Sequence, residues 1–299
     1  MENKFSEKDW QVKSDDDNFS IRLTATLAKT AFFGYTDFME TKLFDGKTAL
    51  IVGGTGGIGR AISRALAGTG ANLVIHGSRA GEKSDSLARE IKEISGKTPK
   101  IISHDLLATP FAELDASEIV HEAQKCDILC VCFGPFVQKP LHETTLADWQ
   151  KVALFDYALP GLLVSSALPN MMRNQFGRIL LFGGTGTAHR TEFFTNAAYA
   201  GAKTALNVLV PSVAAAYAQS NITCNMISPG HVGTEYLTAP QKAVLGAKMP
   251  GGRLIPPNAI AEAALLLLSA PDISGTTLRV DRGWSPHDPD SRQSGTKPA

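Results

Sequence analysis

From Asp45 onward, short apolar runs alternate with amphipathic segments, and this alternation restricts the fold more than any other feature of the chain. The strand-like runs are Thr48–Val52, Asn72–His76, Lys100–Ser103, Ile128–Phe133, Arg178–Phe182, Ile222–Ile227 and Thr277–Val280. Helix-like segments fall between them, near 58–69, 84–95, 110–124, 146–173, 196–219 and 257–269. Strand, crossover helix and parallel strand close in a right-handed unit, and successive units build a parallel sheet covered on both faces. Strands buried on both sides read as continuous apolar runs, as most of these do. The pattern predicts an α/β fold: a doubly wound parallel sheet of about seven strands, with helices on both faces.

No repeat or low-complexity linker interrupts 45–284, which reads as one domain. Residues 1–44 read as a partly helical N-terminal extension and 285–299 as a polar C-terminal tail. In the extension, Phe19, Ile21, Leu23, Leu27, Phe32 and Phe33 recur at roughly helical spacing, as in a segment packed on the domain or on a neighbouring subunit.

The 29 basic and 29 acidic side chains cancel, so the charge favours neither nucleic acid nor an anionic membrane as partner. No stretch reads as long and apolar enough to span a bilayer. Asp15, Asp16 and Asp17 make the N-terminus unlike a signal or transit peptide, which predicts a cytoplasmic protein. Cysteines at 126, 130, 132 and 224 form no C-x-x-C, and no His pair is spaced to complete a zinc site. They read as small buried residues in a reducing compartment, and no metal site is expected.

The first strand runs into Gly53-Gly-Thr55-Gly-Gly57-Ile58-Gly59-Arg60, then an amphipathic helix. Glycines there permit a tight turn and close approach of backbone to a pyrophosphate, which the helix N-terminus attracts. Where the second strand ends, an NAD site places an acid for the ribose hydroxyls. Here Gly77, Ser78 and Arg79 stand instead, and a guanidinium with a hydroxyl suits a 2′-phosphate. The expected cofactor is NADP, with NAD as the alternative.

Tyr199 and Lys203 lie one helical turn apart, on one face. A phenol ionises near pH ~10, and a neighbouring cation lowers that value toward neutrality. The pair therefore reads as a general acid/base for carbonyl reduction or alcohol oxidation.

Together these motifs resemble the short-chain dehydrogenase/reductase family, in the branch of 3-oxoacyl-carrier-protein reductases and steroid or sugar-alcohol dehydrogenases. The resemblance covers roughly 45–284 and implies a Rossmann-type sheet. Gly53, Gly57 and Gly59 match its nucleotide turn, Asp105-Leu106 its adenine-side Asp, and Tyr199 with Lys203 its catalytic pair. Ser228-Pro229-Gly230-His231-Val232-Gly233-Thr234 matches its Pro-Gly loop and the Thr that contacts the nicotinamide amide.

The departures are as informative. Of the family's Asn-Asn-Ala-Gly, only Gly134 survives in Val131-Cys132-Phe133-Gly134. The family's catalytic Asn aligns with Asp156, which would add a charge. The catalytic Ser is missing. Gly184 or Gly186 takes its place, and Thr185 or Thr187 is left to supply a hydroxyl, with His189 and His231 as further polar candidates. The primary expectation is an NADP-dependent carbonyl reductase in which Thr185 or a neighbour steadies the oxyanion. A dinucleotide-binding sensor or scaffold with weakened catalysis, and an NAD-dependent alcohol dehydrogenase, are the alternatives. The largely apolar stretch 235–256 should border a small-molecule or carrier-bound carbonyl substrate, with an acyl chain or a ring. Weakly charged faces on 146–173 and 196–219 resemble the family's homodimer and homotetramer interfaces.

Overall fold

The computed structural model describes residues 42–190 and 192–284. The expectations for the extension up to residue 41 and for the tail fall outside these residues. Seven parallel strands form one sheet among the described residues, in the order β3-β2-β1-β4-β5-β6-β7. They are β1 (Thr48–Val52), β2 (Asn72–Gly77), β3 (Lys100–Ser103), β4 (Ile128–Val131), β5 (Gly177–Phe182), β6 (Ile222–Pro229) and β7 (Thr277–Val280). The chain builds outward from β1 to β3, then crosses to β4 on the other side of β1. That reversal opens a crevice at the carboxyl ends of β1 and β4, where such sheets bind ligands.

Two apolar layers cover the sheet. One face packs on α1 (Gly57–Ala67), α2 (Glu82–Ser95) and α8 (Pro257–Ser269), through Ile62, Leu66, Leu87, Ile91, Ile260 and Leu267. The other packs on α3 (Glu118–Ala123), α5 (Leu159–Asn174) and α6 (Ala197–Tyr217), through Ile119, Leu163, Met171, Leu206 and Val210. Alternate strand residues feed alternate layers: Leu50 and Val52 join the second face, Ala49 and Ile51 the first.

The segment read as one helix at 146–173 is α4 (Leu146–Ala153), a π-helical turn at Leu154–Ala158, and then α5. One more helix, α7 (Ala239–Lys248), lies inside the stretch read only as substrate border. β4 is shorter than expected. Cys132 N–H still donates to Val52 O at 2.8 Å, and beyond it the chain leaves the sheet. Contrary to the sequence reading, Leu146–Asn174 is long and apolar enough to cross a bilayer by length and composition. Half of its most apolar window is buried, and Phe155, Leu159, Leu163 and Met171 belong to the core. Its apolarity is that of a helix packed on a sheet.

Candidate active site

The turn after β1 is shaped by two close approaches. Gly53 has φ +77°, and a Cβ there would sit 3.1 Å from the Cys132 carbonyl carbon. A Cβ on Gly59 would collide with the Gly53 carbonyl oxygen. Only glycine lets the helix start this close beneath the turn. The Ser63 hydroxyl, in the second turn of α1, donates to Gly54 O at 3.1 Å.

His76 holds the turn from below, a part the sequence reading missed. Gly53 N–H donates to His76 Nδ1 at 3.1 Å, while Nε2 lies 2.8 Å from His104 O. One nitrogen accepts and the other donates, which defines a neutral ring protonated on Nε2. Burial, its largest influence, lowers the pKa and keeps that state. A polar residue ending an otherwise apolar strand was the available signal.

Beside the turn, Ser78 and Arg79 are exposed just past β2. Gly77 is closed over by Thr55, whose hydroxyl would collide with any Cβ at 77. Asp105 Oδ1 accepts from Leu107 N–H at 3.2 Å, and Leu106 is buried in the core. Pro229 ends β6, Gly230 follows it, and Val232 bridges to Ile255. The Thr234 methyl lies beside Gly57.

Across the crevice, Tyr199 and Lys203 share one face of α6, with Lys203 Nζ 5.9 Å from the Tyr199 ring centre. They line a hollow of about 140 Å³ with Ile58, Cys132, Gly134, Gly183 and Pro229. A larger hollow of about 280 Å³, near Thr48, Asn72 and Lys100, lies at the opposite ends of the strands, away from these groups. The Phe136 ring meets Tyr199 edge-on, 4.8 Å between centres.

Asp156 changes the electrostatics. The π-helical turn carries its side chain inward, 0 % exposed, with Oδ1 3.0 Å from Lys203 Nζ. Burial pushes the carboxyl up to about 6, with Lys203 pulling it back down. Gly134 lies directly over this pair: a Cβ there would strike Asp156 Oδ1 and come within 3.1 Å of Lys203 Nζ.

The Tyr199 phenol is pushed up, first by burial and then by Asp156, instead of being lowered by Lys203 as expected. The reason is local. The Lys203 charge is matched by a carboxylate in direct contact, so burial dominates what the phenol feels.

Gly184, one of the two positions the sequence offers for the missing Ser, lies beside Tyr199. A Cβ on it would lie 3.1 Å from Tyr199 Cε1 and 3.0 Å from the Thr187 methyl. Neither neighbouring Thr offers its proton to the crevice. Thr185, the expected oxyanion donor, donates to Pro229 O at 2.6 Å. Thr187 donates to Gly184 O at 2.8 Å, as Ser228 does at 2.9 Å. From α6, Asn207 and Thr204 hold Thr187 O at 2.8 and 3.4 Å, which fixes the loop. His231 instead packs against Trp284, 4.5 Å between ring centres.

A family model described as enoyl-(acyl carrier protein) reductase matches residues 53–285. An uncharacterised oxidoreductase, YmfI of Bacillus subtilis strain 168, is 33% identical over 247 residues, 80% of this chain and 98% of its own. The 3-oxoacyl-(acyl-carrier-protein) reductase FabG of Escherichia coli K12 is 30% identical over 246 residues, 80% of this chain and 98% of its own. Among solved structures, a 3-oxoacyl (acyl-carrier-protein) reductase from Agrobacterium tumefaciens C58 with NADP bound has a TM-score of 0.73 at 26% identity. That match covers 84% of this chain and 100% of the other. With a family model matched over most of the chain and relatives matched over nearly their full length, the chain belongs to the short-chain dehydrogenase/reductase family, oxidoreductases acting on CH–OH and C=O groups.

Proposed function

We propose that this oxidoreductase is an NADP-dependent carbonyl reductase, working on a 3-oxoacyl or similar ketone. The observation that carries the direction is the Tyr199 phenol, kept protonated by burial and by Asp156 at the wall of the hollow. A reductase needs a proton donor at the start of its cycle, whereas alcohol oxidation needs a phenolate.

Residues that fit the dinucleotide surround the crevice. Gly53, Thr55, Gly57, Ile58 and Gly59 would take the diphosphate, Ser78 and Arg79 a 2′-phosphate, and Asp105 with Leu106 the adenine side. Gly134, Pro229, Gly230, Val232 and Thr234 would border the nicotinamide half. When bound, the cofactor supplies hydride. Tyr199 gives its proton to the substrate oxygen. Lys203, fixed by Asp156, holds its position one turn below, and Phe136 screens the phenol from water. The missing acid at Gly77 and the exposed guanidinium of Arg79 support NADP over NAD. The NADP-bound Agrobacterium structure supports the same choice.

Tyr199→Phe is expected to abolish NADPH oxidation with 3-oxoacyl thioesters while NADPH still quenches and binds. Turnover at the wild-type rate in that variant would remove the assignment. A second reading, a dinucleotide-binding module with weakened catalysis, has one observation in its favour: Thr185, Thr187 and Ser228 all donate to backbone carbonyls. Binding of NADPH without oxidation by any carbonyl in a broad panel would favour it.

A homodimer or homotetramer through α4–α6 fits the exposed Trp149, Tyr157 and Val208 on that side. Four free thiols suit a cytoplasmic, reducing setting.

A further inference from the structure

The phosphate turn already binds an anion of the protein's own. Gly57 N–H, at the start of α1, donates to Glu235 Oε1 at 2.9 Å, across 178 positions of sequence. α1 has no side-chain cap from its own N-cap residue, Gly56, so a carboxylate from the loop after β6 does that work. The next residue closes the same spot. A Cβ on Gly56 would collide with the Tyr236 hydroxyl and lie 2.9 Å from Glu235 Oε1. A Cβ on Gly57 would lie 3.0 Å from Tyr236 Cε2 and 3.4 Å from the Thr234 methyl. Lys83 Nζ, near the start of α2, sits 5.2 Å from the centre of the Tyr236 ring and holds it from outside. Thr234–Tyr236 therefore form a strap across the turn, with the carboxylate on the Gly57 amide.

The amides at a helix N-terminus attract any anion, and each N–H serves one strong acceptor at a time. A diphosphate seated on this turn needs the amide that Glu235 holds, and its own charge repels the carboxylate. We propose that Glu235 is a built-in competitor for the diphosphate: the dinucleotide binds by displacing the carboxylate and lifting the strap. The proposal rests on reading Gly53–Gly59 as the diphosphate site. The strap runs directly into α7, so filling the turn also frees the segment at the substrate border. Dinucleotide affinity is then set by an exchange of anions, and a ligand without a diphosphate escapes the competition.

Titration calorimetry on the full chain, with wild type, Glu235→Gln and Glu235→Ala, tests this. The probes are NADPH, NADH and adenosine 2′-monophosphate. The dinucleotide Kd should fall roughly tenfold in Glu235→Ala, the scale of one charge-assisted hydrogen bond removed from competition. Glu235→Gln should gain less, because its amide oxygen still accepts from Gly57 N–H. Adenosine 2′-monophosphate should bind all three proteins alike. Equal dinucleotide affinities across the three proteins, or an equal gain for the monophosphate, would overturn the strap and leave the cofactor reading standing. Failure of both dinucleotides to bind wild type and Glu235→Ala would remove the cofactor reading and the strap with it.

Discussion

Replacing Asp156 by Asn removes a buried charge and keeps the side chain's shape. The carboxyl sits at about 6 in place of 3.8, chiefly because it is buried. An acid whose pKa is raised by folding binds its proton more tightly in the folded state. Its contribution to stability is complete below the unfolded value and is lost as pH rises through about 6. Two units at about 1.4 kcal/mol each make a decline on the order of 3 kcal/mol between roughly pH 4 and pH 7.5. The side chain is 0 % exposed, so solvent screening takes little from this figure. Asp156→Asn has no proton to lose there. Urea unfolding of both proteins across that range is expected to show the decline in wild type and its absence in the variant. Comparing slopes cancels any constant cost of leaving Lys203 without its anion, which runs to about 3–5 kcal/mol for buried pairs. Parallel slopes would refute the reasoning. The same variant should also oxidise alcohols at lower pH than wild type, because the carboxylate no longer raises the Tyr199 phenol.

Gly184→Ser puts a hydroxyl beside Tyr199 if the Thr187 methyl gives by a few tenths of an ångström. The expected gain in kcat approaches the ~10²-fold worth of one oxyanion donor, read by steady-state ketone reduction. Gly134→Ala drives a methyl into Asp156 Oδ1 and parts it from Lys203. A stability loss of about 3–5 kcal/mol is expected in chemical denaturation. His76 has a pKa lowered by burial, so its contribution is present above about 6.5 and is lost as pH falls below that. Charging the ring also takes the acceptor from Gly53 N–H. NADPH binding, measured by fluorescence, should weaken on acidification in wild type and not in His76→Asn.

The fold was legible because it is written locally: apolar runs of strand length between helical periods admit few arrangements. The glycine turn after β1 was legible because its glycines are spaced by the turn itself. What escaped depends on through-space contact. Glu235 and Gly57 carry no mutual periodicity. The Tyr199–Lys203 spacing was visible, but the direction of the phenol shift turned first on burial and then on Asp156, which reaches Lys203 from a different helical segment. The sequence left Gly184 or Gly186 at the Ser position and Thr185 as a substitute hydroxyl, yet only the side-chain geometry shows that Thr185 points its proton at Pro229. Cys132 and Phe133 read as strand because they are apolar, although the chain leaves the sheet just beyond Cys132 and both residues line the crevice.

The wide turn at Leu154–Ala158 has a consequence for how this helix tolerates change in length. A π-turn closes its hydrogen bonds one residue later than an α-turn, so it stores one extra residue without shifting the helix on either side. Losing a single residue between Leu154 and Ala158 would return the stretch to regular winding. Leu163 and Met171 would still seat against the sheet, while the carboxylate facing Lys203 would rotate off it by roughly 100°, one residue's turn of an α-helix. At this point the scaffold and the chemistry are separable by one codon.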